Sequence, residues 1–272
     1  MNNKPSHHPT PYKTQLIITI LIIVMGLASV LSYFLLDKHV LSWFGQPFSW
    51  WYSAWVKVIS LLGKALVLIW LLLNWSWATG KLRPLLIGLL ALLIVSAILF
   101  PSKLLIRRPR PQDLIENHSR ARAKSALTRS WSFPSGDAAT VFAIATTIAP
   151  SIRWPWMLIL FIVSSSVSFL RIPVLAHYPS DVFAGAALGI FCGWLALQIT
   201  DQSSLLDSHR FKFRRGTVVL AAVLVLLLIS LSENTDDILI FLKTYGVLTA
   251  GIYLTVKTIT YFKKLRQTQN QQ

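Results

Sequence analysis

The chain has 272 residues, of which 54 % are hydrophobic and 13 % are charged, and its formal net charge at pH 7 is +16. Soluble domains contain roughly 45–50 % apolar and about 25 % charged residues, so this composition excludes an ordinary soluble domain and indicates a membrane protein. The excess of Lys and Arg over Asp and Glu favours an anionic lipid or a phosphate as the ligand. Nucleic acid is the weaker choice, because most of the chain is needed to cross a bilayer. The single cysteine, Cys192, excludes a disulfide framework and a cysteine-based metal site.

Apolar runs long enough to cross the hydrocarbon core of a bilayer follow one another along the chain. The sequence predicts spans at 14–36, 53–73, 82–101, 135–150, 154–172, 181–200, 217–231 and 237–257. Lys57 and Lys64 interrupt the second span, and no small-residue cleavage site closes the first, which we expect to be retained. The expected fold class is all-α, a polytopic transmembrane helix bundle. A six-helix core occupies 1–200, and 201–272 holds a cytoplasmic loop, two additional spans and a polar tail.

The distribution of Lys and Arg between the loops predicts the orientation of the spans. With the N-terminus in the cytoplasm, the cytoplasmic loops are basic, whereas the outer loop at 232–236 has no Lys or Arg. The loop at 102–134 lies on the outer side in this arrangement and yet is strongly basic. We expect it to bind anionic phosphate, and a charged loop resting on lipid headgroups is the alternative. This topology predicts a functional site on the non-cytoplasmic face of a membrane. We expect the periplasmic face of a bacterial inner (plasma) membrane, and in a eukaryotic cell the same topology would face a lumen.

Polar residues gather at the outer ends of spans three to six. Lys103 and Arg110 follow span three, and Arg171 closes span five. The candidates that open spans four and six are Ser135, Gly136, Asp137, His177 and Asp181. Because successive spans alternate in direction, these ends meet on one membrane face. Ionisable residues at membrane depth are costly and are functional candidates by default.

The residue types in these segments suit the transfer of a phosphoryl group. Lys103, Arg110 and Arg171 offer cationic donors that match phosphate oxygens, and the N–H groups of a helix that starts at Ser135 and Gly136 favour an anion. Each feature also has a more ordinary explanation, because a Ser-Gly pair is usually a helix cap and an Arg at a span end usually extends its charge to the interface. Their joint occurrence on one face favours a functional site.

His177 and Asp181 form a candidate nucleophile and its orienting carboxylate. His177 can attack phosphorus if its imidazole is neutral on the attacking nitrogen. Asp181, four residues later, reaches back across one helical turn and is expected to hold the other ring nitrogen. A structural hydrogen bond is the ordinary alternative for such a His-x3-Asp pair.

With these blocks in this order, the sequence resembles the type 2 phosphatidic acid phosphatase superfamily of membrane lipid phosphate phosphatases. The family signature is K-x6-R-P, then P-S-G-H, then S-R-x5-H-x3-D. Within 14–200 this chain has Lys103-x6-Arg110-Pro111, Pro134-Ser135-Gly136-Asp137 and Leu170-Arg171-x5-His177-x3-Asp181. The resemblance implies a phosphohistidine intermediate on His177 oriented by Asp181, with no cofactor and no metal. It implies phosphate binding by Lys103, Arg110, Ser135, Gly136 and Arg171.

Two positions depart from the family pattern. Leu170 replaces a serine, which we expect to matter little, and Asp137 replaces the histidine that protonates the leaving group. A carboxylate among Lys and Arg stays ionised and is a poor acid at neutral pH. Three alternatives are open: burial makes Asp137 a competent catalytic acid, His118 substitutes for it, or the leaving group needs little protonation, as for a diphosphate.

We therefore expect an enzyme, a metal-independent membrane phosphatase that hydrolyses a lipid phosphate or a polyprenyl diphosphate, and Asp137 favours the diphosphate. A lipid phosphotransferase that passes the phosphate to an acceptor lipid or sugar would use the same residues. A non-catalytic lipid-binding membrane protein with a decayed site is a third alternative. The sequence leaves open the identity of the lipid, the role of the last two spans and whether the chain forms a homo-oligomer.

Overall fold

Helices make up all the regular structure of the described residues, which in this computed structural model are 12–44, 56, 59, 62–79, 82–114 and 131–201. The helices are α1 (Tyr12–Leu35), α2 (Val40–Phe44), α3 (Ala65–Thr79), α4 (Arg83–Ile106), α5 (Gly136–Ile148), α6 (Trp154–Phe169) and α7 (Pro179–Asp201). Short 3-10 turns occur at Asp37–His39, Pro111–Leu114 and Ala149–Ser151. None of these residues forms a strand, which confirms the all-α class.

The chain divides into two compact units. The first comprises Met1–Ile69 and Arg83–His209, and the second comprises Trp70–Leu82 and Arg210–Gln272. In the second unit, the structure describes only 70–79 and residue 82, where the Asn74 amide donates to the Trp70 carbonyl (2.7 Å). The spans expected at 217–231 and 237–257 lie outside the described residues. They stay predictions, as does the division of the chain near residue 200.

Three described stretches are long and apolar enough to cross a membrane, which supports an integral membrane protein. They are Gln15–Leu35, Arg83–Leu114 and Pro179–Asp201, and they correspond to the first, third and sixth predicted spans. The fourth and fifth predicted spans correspond to α5 and α6, which are shorter apolar helices of 13 and 16 residues.

Two helix boundaries differ from the expectation in ways that matter for the site. α3 begins at Ala65, so Lys64 precedes this helix instead of interrupting a span. α4 continues through Pro101 to Ile106, so Lys103 lies in its last turn and not in the loop. Pro101 has no N–H to donate and its ring crowds the carbonyl four residues earlier, yet the helix continues. In the same turn the Ser102 hydroxyl donates to the Ile98 carbonyl (2.7 Å).

α7 is the central helix of the first unit and packs against α1, α4 and α5. Gly185, Gly189 and Gly193 recur every four residues, so they form one stripe along α7 that faces α5. A Cβ atom on Gly189 would lie 2.4 Å from the Ala139 carbonyl oxygen and 2.9 Å from the Phe142 Cβ. The backbones of the two helices therefore approach as closely as in membrane helix pairs with small residues at the interface. This contact fixes the N-terminus of α7 beside that of α5.

Substitution of Gly189 by Ala should destabilise the protein, because the added methyl group meets the backbone of α5 and the helices must separate. We expect a loss of about 1–3 kcal/mol in unfolding free energy, which is the usual effect of overpacking. Gly26→Ala on α1 is the matched control, since no heavy atom lies within 4 Å of its Cβ position. Thermal unfolding in detergent should show a lower Tm for Gly189→Ala only. Equal Tm values for the two variants would contradict the close contact.

Candidate active site

The two helix starts that carry the predicted motifs are joined through the backbone. The Ser135 hydroxyl caps α5 by accepting from the Ala138 N–H (3.4 Å). The Ser135 N–H donates to the Asp181 carbonyl at the start of α7 (2.9 Å), and Gly185 packs on the Ser135 carbonyl oxygen. The predicted helix N-terminus is therefore present and fixed to the segment that carries His177. Anion binding by Ser135 and Gly136 remains a prediction.

A tight turn between α6 and α7 carries Arg171 and His177. The Arg171 carbonyl accepts from the N–H groups of Ala176 (3.1 Å) and His177 (3.2 Å), which holds the two predicted site residues close together. Leu175 has φ 57°, in the left-handed region that few non-glycine residues adopt. Its carbonyl accepts from the Gln112 N–H (3.0 Å), so the turn is tied to the segment that follows Arg110.

His177 is buried, with 2 % of its surface exposed, and its tautomer follows from its hydrogen bond. The Nδ1 atom lies 2.8 Å from the Ser132 carbonyl oxygen. A carbonyl can only accept, so Nδ1 carries the proton and Nε2 keeps its lone pair. Burial lowers the pKa of His177 below its usual range because the imidazolium loses its hydration. The ring is therefore neutral at pH 7, which is the state that a histidine nucleophile requires.

Asp181 does not hydrogen-bond to His177 as the spacing predicted. Its Oδ2 atom lies 3.8 Å from Nδ1 of His177, which is beyond hydrogen-bonding distance. The same oxygen accepts a short hydrogen bond from the Ser132 hydroxyl and another from the Tyr178 N–H (2.9 Å). Ser132 therefore connects the two residues, because its carbonyl accepts from the His177 ring and its hydroxyl donates to the Asp181 carboxylate. The direct hydrogen bond predicted from the spacing is absent because the Asp181 carboxylate also caps the first turn of α7, where it accepts from the Tyr178 N–H.

A buried ion-pair network lies behind Asp181, and the sequence reasoning did not find it. Arg108 donates to Asp181 Oδ1 (2.8 Å), to the Ser180 hydroxyl (2.7 Å) and to Asp37 Oδ2 (2.7 Å). Asp37, in the turn after α1, also accepts from the N–H (3.1 Å) and hydroxyl (2.5 Å) of Ser180. Arg108 is therefore directed into the protein and not toward a headgroup. The sequence signals that could have found them are the position of Arg108 between Lys103 and Arg110, and an ionisable Asp37 at the end of the first span.

Asp137, at the position of the family histidine, is paired with two cations. Its Oδ2 lies 2.8 Å from Arg171 Nε, and its Oδ1 lies 3.6 Å from Lys64 Nζ. The side chains of Asp137 and Arg171 are 13 % and 12 % exposed, so solvent screens this pair little, whereas Lys64 is 50 % exposed. Arg171 is thus engaged by an internal carboxylate, and a phosphate that binds it must compete with Asp137. The sequence predicts Lys64 within the second span and gives no sign of this ion pair with Asp137.

The remaining predicted cations lie around the same centre. Lys103 donates from its Nζ to the Trp131 carbonyl (2.7 Å) and interacts electrostatically with Arg110 and Asp137. Arg110 is half-buried and interacts electrostatically with Arg171. The structure therefore brings together the cations, His177 and the two carboxylates that the sequence selected. This arrangement can bind a phosphoryl group and present a neutral imidazole to it.

Part of the basic loop falls outside the described residues. His118, which was an alternative proton donor, lies there, as do the cations Arg120, Arg122, Lys124 and Arg129. Within the ranges that the structure describes, no group of three or more His, Cys, Asp or Glu residues is placed to hold a metal ion.

The family model of the PAP2 superfamily matches residues 81–205. This range includes every site residue that the sequence predicted, and Asp37 and Lys64 lie before it. This match confirms the resemblance to type 2 phosphatidic acid phosphatases.

Two individual proteins are similar to parts of the chain. A lipid A 1-phosphatase of Porphyromonas gingivalis is 38 % identical over 87 residues, which are 31 % of this chain and 20 % of that protein. The chain thus matches about a fifth of the length of this relative. The crystal structure of Aquifex aeolicus LpxE is 28 % identical, covers 53 % of this chain and 84 % of that chain, and has a TM-score of 0.45.

Asp137→Asn keeps the shape of the side chain and removes the charge that engages Arg171. We expect inorganic phosphate to bind about ten-fold more tightly, a gain of about 1.4 kcal/mol, because the anion no longer competes with a carboxylate. Isothermal titration of the detergent-purified protein measures this Kd. The matched control is Asp201→Asn, which removes the partner of Arg83 at the other end of α7 (2.5 Å) and should leave the Kd unchanged. Unchanged or weaker binding in Asp137→Asn would refute the competition.

Proposed function

We propose that the protein is a metal-independent membrane phosphatase that removes phosphate from a lipid phosphate or lipid diphosphate through a phosphohistidine on His177. The observation that carries this proposal is the hydrogen bond from Nδ1 of His177 to the Ser132 carbonyl (2.8 Å), which leaves Nε2 as the nucleophile. The match of residues 81–205 to the PAP2 superfamily and the name of the relative, lipid A 1-phosphatase, support the reaction class.

The proposed reaction has two steps. In the first, Nε2 of His177 forms a bond to phosphorus while the bond from phosphorus to the leaving oxygen breaks. Lys103, Arg110 and Arg171 bind the phosphoryl oxygens, and the charge of Asp181 stabilises the imidazolium that forms. In the second step, water attacks phosphorus and the N–P bond breaks. Both protons of the water leave with the inorganic phosphate, and His177 returns to its neutral form.

His177→Ala should abolish phosphate release from a lipid substrate, whereas EDTA should leave the wild-type rate unchanged. The variant lacks the nucleophile, and the proposed steps use only protein groups. The measurement is free phosphate released by detergent-purified protein without an acceptor lipid. Trapping of labelled phosphate on wild-type protein in acid-quenched samples, and its absence in the variant, adds a direct readout of the intermediate. A rate that EDTA abolishes would contradict the metal-free mechanism.

We further propose that the substrate is a lipid diphosphate such as a polyprenyl diphosphate. The support is Asp137, whose charge is stabilised by Arg171 and Lys64, so that it is a poor proton donor. Attack on the terminal phosphorus of a diphosphate expels a lipid monophosphate, which leaves as a stable anion without a proton. The exposed Lys64 adds positive charge for the second phosphate group. The 38 % identity to a lipid A 1-phosphatase makes a lipid A 1-phosphate the second candidate.

A substrate panel separates these candidates. Wild-type protein should release phosphate from a polyprenyl diphosphate at least about ten-fold faster than from phosphatidic acid or a polyprenyl monophosphate, because general acid catalysis contributes about 10²–10⁴-fold where the leaving group needs it. Asp137→His restores the family residue and should accelerate the two monoesters more than the diphosphate. Equal wild-type rates on phosphatidic acid and the diphosphate would refute the diphosphate proposal. A fastest rate on lipid A 1-phosphate would favour the second candidate.

We also propose that the active site lies on the periplasmic face of a bacterial inner membrane. The support is the Lys and Arg distribution, which places the N-terminus in the cytoplasm and the helix ends that carry His177 and Asp137 on the opposite side.

A further inference from the structure

We propose that Asp37 and Arg108 are positioning residues that set the charge and orientation of Asp181 and thereby the reactivity of His177. This inference rests on the proposed phosphohistidine function. Asp37 lies outside the region matched by the family model, in the turn after α1, a helix that contributes no motif residue.

The geometry gives Arg108 a bridging role between two buried carboxylates. One guanidinium nitrogen, Nη1, binds Asp181 Oδ1 (2.8 Å), and the other, Nη2, binds Asp37 Oδ2 (2.7 Å). Asp37 and Asp181 are both buried, and their other oxygens accept from Ser180, Ser132 and Tyr178. Arg108 therefore fixes the carboxylate of Asp181 from the side opposite to His177.

Aromatic rings hold the guanidinium in this position. The Arg108 guanidinium carbon lies 3.8 Å from the centroid of the Tyr178 ring and 5.3 Å from that of Tyr33. Such a cation over a ring face is attracted by the ring quadrupole, and the attraction strengthens when the cation is shielded from water. Tyr33 on α1 and Asp37 in the turn after α1 thus help to hold Arg108, which binds Asp181.

The alternation of charge along Asp37, Arg108 and Asp181 explains why both Asp37 and Arg108 are needed. Attack by His177 creates a positive ring, and Asp181 is the nearest carboxylate on the Nδ1 side. A lone Arg108 beside Asp181 would cancel that negative charge, because charges in a shielded site interact strongly. Asp37 compensates Arg108, so the series Asp37, Arg108 and Asp181 retains one net negative charge next to the ring.

The substitutions of Asp37 and Arg108 leave the other charged side chains of the site in the sequence. These come from α4, α5, the segment after α4 and the turn before α7, and they are Lys103, Asp137, Arg110 and Arg171. A change in the titration of His177 in these variants therefore tests the charge on the Asp181 side of the ring.

The test compares Asp37→Asn, Arg108→Gln and the double variant with wild type. Asp37→Asn leaves Arg108 uncompensated, which disfavours the imidazolium, so the acid limb of kcat/KM should move to lower pH by roughly half a unit or more. Arg108→Gln removes the cation and should move the limb to higher pH. Both single variants should lose kcat by roughly ten-fold or more with little change in KM, as for partners that orient a reacting group. The double variant should return the limb toward wild type.

Opposite shifts in the two single variants are the result that a purely structural role would not produce. Asp201→Asn is the matched control and should shift nothing, because it pairs with Arg83 at the other end of α7. Wild-type kcat in a folded Asp37→Asn variant, or shifts of the same sign in both variants, would overturn the proposal. If the single variants fail to fold, the double variant, which removes the charges of Asp37 and Arg108 together and leaves Asp181 with its hydrogen bonds to Ser132 and Tyr178, replaces them. A kcat equal to wild type in it would then overturn the proposal.

A readout without catalysis separates this inference from the proposed function. Titration of carbon-13-labelled histidine by NMR, with His177→Ala to assign the signal, reports the His177 pKa directly. Opposite pKa shifts in Asp37→Asn and Arg108→Gln support the network even if no lipid is cleaved, an outcome that would refute the phosphatase proposal alone. Absence of any pKa shift, with lipid hydrolysis intact in wild type, would refute the network alone.

Discussion

The burial of the Asp181 carboxylate is the constraint on which the rest of the site depends. A buried charge is tolerated only when it is paired and fully hydrogen-bonded, so each oxygen of Asp181 draws partners from elsewhere in the chain. Arg108 comes from the segment after α4, Ser132 from the segment before α5 and Tyr178 from the N-cap of α7. The same residue accepts the Ser135 N–H through its backbone carbonyl. One carboxylate thus gathers three segments that are remote in sequence.

The hydrogen bonds of Asp181 also position His177, the proposed nucleophile. Ser132 is held by Asp181 through its hydroxyl and by Arg108 through its N–H, which donates to the Arg108 carbonyl (2.8 Å). Its own carbonyl then has a fixed direction and accepts from Nδ1 of His177. The tautomer of His177 is therefore set by backbone geometry, and the Asp181 carboxylate is connected to the ring through Ser132. The close packing of α5 on the glycine stripe of α7 keeps these segments in register.

The replacement of the family histidine by Asp137 changes the electrostatics on the other side of the site. Asp137 brings a negative charge between Arg171 and the half-exposed Lys64. In the proposed reaction a phosphate must compete with Asp137 for Arg171, and the site has a charged carboxylate where the family has a proton donor. We propose a diphosphate substrate for such a site because its leaving group is a stable anion without a proton.

The sequence alone determined the class of fold, the first, third and sixth apolar spans, and the set of residues that are candidates for phosphate binding. Hydrophobic runs report on burial in lipid. The candidate residues are recognisable in linear order because they lie in or next to the ends of α4, α6 and α7.

The tertiary structure alone decided the partners of these residues. Ser132 acts through its backbone carbonyl, which every residue has, so no residue type could signal it. Asp37, Lys64 and Arg108 became part of the site only when α1, the segment before α3 and the segment after α4 converged on α5 and α7. His177 and Asp181 do lie close together, with Nδ1 3.8 Å from Oδ2, but Ser132 takes the place of the expected direct hydrogen bond. Sequence spacing gives reach along a helix, whereas the cap at Tyr178 and the position of Ser132 are set by packing between segments.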